Sequence, residues 1–269
     1  MITTFSVRGP GGDFLKPDVT EPGLHILAGT TPTPESPLEG PPGNLYLSIA
    51  GTSMSSPHVA GAAALLFALH PTWTPGQVKT ALETTAKTSI TKQDGATPAD
   101  GFDKGGGRID LSRAGDTAPT PDESAENFAA SAADPLNRID LNLPSANATT
   151  MPGVITAKRT FTNVTGKSLT YTATGTTVSG ASILVVPPLF TVTPGKTQTV
   201  QIARRRPGGT PPGRCPRRSA VQIAHKVGAL GLQFLDRALD DVADADDADE
   251  AAVLDDRDVP EPVHGHGLA

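Results

Sequence analysis

Residues 51–66 read Gly-Thr-Ser-Met-Ser-Ser-Pro-His-Val-Ala-Gly-Ala-Ala-Ala-Leu-Leu, and this stretch decides the fold of the first part of the chain. It follows Leu-Tyr-Leu-Ser-Ile-Ala at 45–50, which predicts a short strand. Its apolar residues continue on every face toward Pro71, and a helix that is apolar all round is typical of a buried core. The sequence therefore predicts a tight turn at Gly51, a buried helix over about 53–69, and Ser53 at the start of that helix.

Ser53 lies where a helix offers backbone N–H groups without an acceptor of its own. These groups and the helix dipole favour negative charge at that end. A serine placed there can act as a nucleophile, and its own N–H can help to bind the oxyanion that forms after attack. The other interpretation is an N-cap with no catalytic role, which is the commoner use of a serine that opens a helix.

The eleven residues from Gly51 to Gly61 resemble the serine-nucleophile motif of the subtilisin-like serine proteases, the subtilases. Lys-Pro-Asp-Val-Thr-Glu-Pro-Gly at 16–23 resembles the segment that leads to the nucleophile in that family, with Glu21 where the family usually has alanine. Residues 99–110 resemble the family's closing loop. The resemblance implies that residues 1–115 are the C-terminal portion of an α/β catalytic domain with an incomplete parallel sheet. It also implies serine endopeptidase chemistry on protein or peptide substrates, and an extracellular, secreted protein.

A subtilase serine works with a histidine base and an aspartate that precede it in the chain. Only 52 residues precede Ser53, and they contain no Asp-Ser-Gly, Asp-Thr-Gly or His-Gly-Thr-His motif. His58 lies about 140° around the helix from Ser53, so we expect a packed, hydrogen-bonded structural histidine. Asp18 is expected to be a loop carboxylate that caps nearby N–H groups. Ser53 is therefore the one catalytic residue predicted, also as oxyanion donor through its backbone N–H, and we expect a fragment that is inactive alone.

A second helix is predicted directly after the first. Thr74 is placed as its N-cap, Pro75 as its first residue and Gln77 as the third, which is the pattern of a capping box. The helix is expected to run to about residue 86. The apolar residues Val78, Ala81 and Leu82 are predicted to form its buried side.

The pattern changes after residue 115. Residues 116–137 predict a linker or a segment wrapped on the surface. Alternating short strands then predict an all-β sandwich over 138–203, and the expected strands are 139–145, 155–162, 169–173, 182–186 and 198–202. Leu-Asn-Leu-Pro-Ser at 141–145 and Phe-Thr-Asn-Val-Thr at 161–165 resemble the fibronectin-III-like domain that follows the catalytic domain in many subtilases.

The composition shifts again at Arg204. Six arginines and no acid lie between 204 and 218, and eleven acids with two arginines lie between 236 and 258. Such charge blocks leave little apolar surface to bury, so residues 204–269 are expected to be a low-complexity, disordered tail. The abrupt change also raises the hypothesis that the tail is read from a shifted frame.

Composition limits the remaining possibilities. The net charge of −6 does not indicate a nucleic-acid-binding protein. The single cysteine, Cys215, allows neither an internal disulfide nor a cysteine metal cluster. The longest apolar run, 59–69, is too short to span a bilayer, and the first residues do not resemble a signal peptide. No cofactor is expected, although the family resemblance allows calcium. The alternative function is that of a non-catalytic extracellular interaction protein built on the β-sandwich.

Overall fold

The computed structural model describes residues 1–9, 14–117, 120–135, 137–148, 153–177, 181–205, 219–226 and 229–236. Up to residue 117 these form two strands, four α-helices and a short 3-10 helix at Pro37–Glu39. The strands and α-helices are β1 (Ile26–Gly29), β2 (Tyr46–Ile49), α1 (Thr52–Leu69), α2 (Pro75–Thr84), α3 (Gly101–Lys104) and α4 (Leu111–Ala114). A further helix, α5 (Ala125–Ser131), lies in the predicted linker.

The predicted strand, turn and long helix are confirmed. β2 ends at Ile49 and α1 begins at Thr52, with Gly51 as the N-cap at φ 157°. The Gly51 N–H donates a hydrogen bond to the carbonyl of Gly23 over 2.8 Å. The loop that leads to the serine motif is therefore attached to the turn from which α1 starts.

The parallel sheet implied by the family resemblance is not what the structure shows here. β1 and β2 pair antiparallel, with Ile26 opposite Ile49. Within the described part of residues 1–117, the one parallel pairing is an isolated bridge between Thr20 and Arg108. The physical reason is the connection: a chain that turns back between neighbouring strands pairs them antiparallel, whereas a parallel pair needs a crossover.

The prediction that α1 is buried all round is wrong. Of its 18 residues only Ala62 and Leu66 are buried. Leu65 and Leu69 are 61% and 62% exposed. The reason is that α2 and the cluster around Trp73 cover one side of α1, and nothing within the described ranges covers the opposite side.

The predicted capping box of α2 is confirmed. The N–H of Gln77 donates to Thr74 Oγ1 over 3.1 Å, and the N–H of Thr74 donates to Gln77 Oε1 over 3.0 Å. α2 ends at Thr84, two residues before the predicted end. The three residues expected to be buried on α2 are buried: Val78, Ala81 and Leu82.

The second region is a sandwich of two sheets. Its strands are β3 (Ser145–Ala148), β4 (Val154–Thr162), β5 (Leu169–Thr177), β6 (Ser182–Val186), β7 (Leu189–Val192), β8 (Thr197–Arg205), β9 (Ser219–Lys226) and β10 (Ala229–Asp236). One sheet has the order β3-β9-β10-β5-β7 and the other β4-β8-β6. The pairs are antiparallel except β10 with β5, which is parallel. The buried core consists of Ala146, Phe161, Tyr171, Ala173, Val185, Phe190, Val192, Val200 and Ile202.

β9 and β10 correct the prediction of a disordered tail over 204–269. Residues 219–226 pair with β3 and with residues 229–236, which pair in turn with β5. Between the two charge blocks the sequence alternates, as in Val-Gln-Ile-Ala at 221–224 and Leu-Gly-Leu-Gln-Phe at 230–234, and this is the pattern of a strand. The prediction of disorder was based on the charged composition of residues 204–269, which does not reveal that alternation. The rest of the predicted tail beyond Arg205 lies outside the described residues.

The predicted linker is attached to the sandwich. Thr120 and Thr162 exchange two backbone hydrogen bonds of 3.0 Å. Glu123 accepts the N–H of Asn142 over 2.5 Å, and Asn142 Nδ2 donates to the carbonyl of Thr160 over 2.8 Å. The segment is thus wrapped on the surface, as one of the two sequence interpretations expects. The boundaries drawn at 1–115, 116–137 and 138–203 stay predictions.

Candidate serine site at the start of helix α1

Ser53 is the second residue of α1 and is exposed. Its hydroxyl has no hydrogen-bond partner among the residues that the structure describes. The N-cap is Gly51 and no side chain caps the helix, so the interpretation of Ser53 as an N-cap is wrong. The N–H of Ser53 belongs to the first turn, where a helix provides no acceptor. The serine therefore combines an open hydroxyl with an N–H that can receive an oxyanion.

The loop at 16–23 fixes the turn in front of Ser53. Ser55 Oγ donates to the carbonyl of Glu21 over 3.1 Å, and Gly51 N–H donates to Gly23. A Cβ on Gly23 would lie 2.3 Å from Ser55 Oγ and 2.7 Å from the Gly51 carbonyl oxygen, closer than side chains tolerate. Glycine at position 23 is thus required by the close approach of this loop to the serine turn.

Glu21, the residue that departs from the family pattern, connects two parts of the site. Its carboxylate Oε1 accepts the N–H of Ile109 in the closing loop over 2.9 Å, while its carbonyl receives Ser55. Burial raises the pKa of Glu21 above its ordinary value, although the Ile109 hydrogen bond and the nearby charge of His58 oppose this. Sequence reasoning missed this connection, because only the departure from alanine marked the position.

The histidines of the described ranges do not contact the Ser53 hydroxyl. His58 Nδ1 donates to the carbonyl of Met54 over 2.8 Å and the side chain is exposed, so the predicted hydrogen bond is confirmed but the predicted packing is wrong. His70 Nε2 lies 2.7 Å from the carbonyl oxygen of Gly115, and its ring stacks on Trp73 at 3.9 Å. His25 is exposed just before β1. The side chains of β9, which include His225, and residues 264 and 266 lie outside the described set.

Asp18 is held by lysines and not by backbone N–H groups, so its predicted capping role is wrong. Its carboxylate accepts from Lys16 Nζ over 2.5 Å and from Lys79 Nζ, and Lys79 Nζ also lies 2.5 Å from Glu83 Oε1. Burial would raise the pKa of Asp18, but Lys79 and Lys16 hold that pKa below its ordinary value. The predicted structural role of Asp18 therefore rests on ion pairs that join the loop to α2.

The glycines of the closing loop allow it to lie against the loop at 16–23. Gly106 N–H donates to the Asp18 carbonyl over 2.9 Å. Gly105 has φ 60°, and a Cβ there would lie 2.3 Å from the carbonyl oxygens of Pro17 and Asp18. The two sequence motifs that flank the serine motif thus meet in space, and the Glu21 contact extends the same arrangement to α1.

The described residues were also searched for metal sites and for membrane-spanning helices. No group of three or more His, Cys, Asp or Glu side chains among them is placed to hold a metal ion. None of the helices found there is long and apolar enough to cross a membrane.

Comparison with known proteins supports the resemblance read from the sequence. Residues 1–115 match the model of the subtilase family, and residues 140–214 match that of a fibronectin type-III domain. The chain is 33% identical over 219 residues to "Subtilisin-like protease SBT3.5" of Arabidopsis thaliana, covering 70% of this chain and 26% of that protein. It is 35% identical over 229 residues to "Subtilisin-like protease SBT3.11" from the same plant, covering 72% and 28%.

A shorter match is closer in sequence. The chain is 43% identical over 118 residues to the "CO(2)-response secreted protease" of Arabidopsis thaliana, covering 40% of this chain and 15% of that protein. The chain thus spans less than a third of the length of these relatives. The predicted order of a subtilase region followed by a fibronectin-III-like domain is confirmed at that level.

Proposed function

We propose, from the premise that residues 1–115 belong to the subtilase family, that this chain is the serine-bearing part of a subtilisin-like serine endopeptidase. The observation that carries the proposal is the exposed Ser53 in the first turn of α1, within a segment that the subtilase model matches. The substrates are proteins or peptides. The fibronectin type-III domain follows the serine region in the same chain.

In the proposed reaction Ser53 Oγ attacks the carbonyl carbon of a peptide bond. The carbonyl oxygen becomes an oxyanion, which the N–H of Ser53 stabilises, and expulsion of the amine leaves an acyl-enzyme. Water then releases the acid and restores the serine. The chemistry requires neither a metal nor a cofactor. It does require a base that takes the serine proton and returns it to the leaving amine.

Among the described side chains none is placed as that base. An oxyanion donor supplies about 2.7–4 kcal/mol, and the helix dipole at most about 2 kcal/mol. These contributions do not replace a base, because the members of a catalytic triad act as a unit. We therefore infer that this chain by itself does not hydrolyse peptides at a useful rate, and that activity needs a histidine and an aspartate from additional polypeptide.

We also propose that the endopeptidase acts outside the cell. This rests on the name of the "CO(2)-response secreted protease", which describes that relative as secreted.

The test compares two proteins. The first is the purified chain, assayed with a chromogenic peptide amide and a serine-reactive phosphonate. The second is a fusion in which the catalytic region that precedes the serine motif in "Subtilisin-like protease SBT3.11" is joined ahead of this chain's loop at 16–23. The chain is expected to show no turnover that Ser53→Ala removes. The fusion is expected to show turnover and phosphonate labelling that Ser53→Ala abolishes.

Ser56→Ala is the matched control, because Ser56 is an exposed serine of the same helix outside the proposed chemistry. It should leave the fusion active. A folded fusion that neither turns over substrate nor reacts with the phosphonate would contradict the proposal and favour a non-catalytic role for the chain. Turnover by the chain alone that Ser53→Ala removes would show that a base is present after all.

A further inference from the structure

The three-stranded sheet β4-β8-β6 has two edges, and its β4 edge is covered. The N–H of Lys158 donates to Asp140 Oδ1 over 2.9 Å, and the N–H of Thr160 donates to Asn142 Oδ1 over 2.8 Å. Thr162 exchanges two backbone hydrogen bonds of 3.0 Å with the predicted linker. The backbone groups that point away from β8 are therefore paired at each of these alternate positions of β4.

The same register identifies the backbone groups that β6 presents at the other edge. Because the even-numbered residues of β4 point their N–H groups away from β8, its odd-numbered residues bond to β8. Their partners are the even-numbered residues of β8. The odd-numbered residues of β8 then bond to β6, and one such pair is Ala203 with Leu184. Ile183 and Val185 consequently point their N–H and C=O groups away from β8.

The β6 edge is open among the residues that the structure describes. Within those ranges β6 pairs with β8 alone, and no backbone group bonds to Ile183 or Val185 from the other side. Leu184 and Val186 lie on the outer face of the same strand and are 62% and 47% exposed. A row of unpaired backbone groups at a sheet edge is a template for a strand from another chain.

The sequence of β6 suits pairing with a second copy of itself. Ser-Ile-Leu-Val-Val at 182–186 has no charged residue, so two copies of the strand do not repel each other although the chain has a net charge of −6. An antiparallel pair centred on Leu184 places Ile183 of each copy opposite Val185 of the other. Residues paired in this way exchange both of their N–H···O bonds, whereas Leu184 faces its own copy at a Cα separation of about 4.5 Å.

We propose that the chain forms a homodimer through β6, in which two three-stranded sheets join into one continuous antiparallel sheet. The backbones of Ile183 and Val185 form the new hydrogen bonds, and Leu184 and Val186 contribute apolar contacts on the outer face. The pairing is isologous, as in most homodimers, because the same strand contributes both sides. Ser53 lies on α1 and not on this strand, so the proposal does not depend on the proposed function.

The first experiment measures association of the full chain by analytical ultracentrifugation. Concentrations from about 1 μM to about 500 μM cover the affinities of weak dimers, which a short interface predicts. Hydrogen exchange followed by NMR at both ends of this range locates the surface. The amides of Ile183 and Val185 should be protected only at the high concentration, because their acceptors belong to the second copy. The amide of Leu184 bonds to β8 and should be protected at both.

Charges at the centre of the strand pair test the register. Leu184→Lys places two ammonium groups opposite each other and Leu184→Glu places two carboxylates, so each variant alone should dimerise about tenfold more weakly or worse. An equimolar mixture of the two variants should recover the dimer, because opposite charges then meet at that position. Leu189→Lys is the matched control and should leave association unchanged, since Leu189 is also 62% exposed but lies on β7 of the other sheet.

A chain that stays monomeric up to about 500 μM would overturn the proposal, because even a weak dimer forms there. So would a dimer that both Leu184 variants leave unchanged, or a weakened dimer that their mixture does not recover, since association would then use another surface or another register. Far-UV circular dichroism checks the fold of each variant, and Leu184 is not part of the buried core. If a variant does not fold, the concentration-dependent protection of Ile183 and Val185 in the unmodified chain decides alone.

Discussion

Residues 1–115, which the subtilase model matches and which we call the subtilase region, differ from the sandwich in how completely they enclose their apolar and charged groups. In the sandwich Phe161 is 1% and Val200 0% exposed, and both sheets contribute to one core. In the subtilase region the long helix α1 buries two residues and leaves Leu65 and Leu69 largely exposed. The difference teaches that an apolar pattern gives a core only where a second surface faces it.

The two regions also differ in how completely their buried charged side chains are hydrogen-bonded. In the sandwich Arg159 is 2% exposed and donates to the carbonyls of Leu143, Ile139 and Ser145 over 2.7, 2.8 and 2.9 Å. In the subtilase region Glu83 is equally buried but Oε2 lacks a partner. Burial lowers the pKa of Arg159 to about 10, yet the guanidinium stays ionised at neutral pH with its donors satisfied.

The largest effect expected is that of a truncation in the sandwich core. Phe161→Ala removes a buried ring and leaves a cavity, which should lower the free energy of unfolding by about 3–5 kcal/mol. Urea unfolding followed by far-UV circular dichroism measures the change, and hydrogen exchange of β4 and β8 locates it. The control is Leu184→Ala, because Leu184 is 62% exposed in the same sandwich and its loss should change the value by less than about 0.5 kcal/mol. Equal effects of the two variants would contradict the enclosed core.

The second prediction tests the one-sided burial of α1 with two adjacent leucines. Leu66 is 2% and Leu65 61% exposed. Leu66→Ala should destabilise the first region by about 2–4 kcal/mol, and Leu65→Ala by less than about 0.5 kcal/mol. The fluorescence of Trp73, the single tryptophan of the chain, reports unfolding of the cluster that contains Leu66. A large effect of Leu65→Ala would mean that the second side of α1 is covered in solution.

The third prediction concerns pH and the buried acid of the subtilase region. The pKa of Glu83 is raised from 4.5 to about 7 on folding, so between these values the folded chain binds more protons than the unfolded chain. The stability contributed by Glu83 is therefore complete below about pH 4.5 and is lost as the pH rises to about 7. The loss amounts to roughly 3 kcal/mol at most.

Glu83→Gln removes this dependence and provides the comparison. The unfolding free energy of both proteins is measured in urea at pH 4.5, 5.5 and 7.5, and the unmodified chain should lose stability relative to Glu83→Gln as the pH rises. Glu21 has a raised pKa as well, but it is present in both proteins and its contribution cancels. Asp18 has a lowered pKa and stays ionised throughout. Parallel curves for the two proteins would refute the raised pKa.

The sequence predicts those features that depend on neighbouring residues. The turn at Gly51, the start of α1 and the capping box of Thr74 and Gln77 are encoded within a few positions, and each is found in the structure. The location of Ser53 at the start of α1 follows from the same local pattern.

Features that depend on distant partners were not predictable in the same way. The sequence pattern of α1 shows which faces are apolar, but not which of them another element covers. Glu21 accepts a hydrogen bond from Ile109, which is distant in sequence, and no local sequence pattern predicts that contact. The strands β9 and β10 alternate as strands do, but the charge blocks around them dominate the composition of the segment.

The smallest expected changes in unfolding free energy come from two helix caps. One of them contacts residues 116–137, which we call the joining segment. Thr74 caps α2 and Ser124 caps α5, and each hydroxyl accepts an N–H over 3.1 Å. Thr74 Oγ1 also donates to Asp122 Oδ2 over 2.8 Å, so it attaches α2 to the joining segment. Loss of a cap costs about 1 kcal/mol. Ser124→Ala should therefore lower the unfolding free energy by about 0.5–1 kcal/mol, and Thr74→Ala by about 1–2 kcal/mol.

The double variant Thr74→Ala with Asp122→Ala separates the cap from the connection between the regions. If Thr74 Oγ1 stabilises the joining segment through Asp122, the two single changes are not additive, and the interaction should be about 0.5–1 kcal/mol in urea unfolding followed by Trp73 fluorescence. Ser124→Ala and Asp122→Ala lack a shared hydrogen bond and should add within about 0.3–0.5 kcal/mol. Strict additivity in both pairs would mean that the hydrogen bond between Thr74 and Asp122 contributes nothing measurable to the attachment of α2 to residues 116–137.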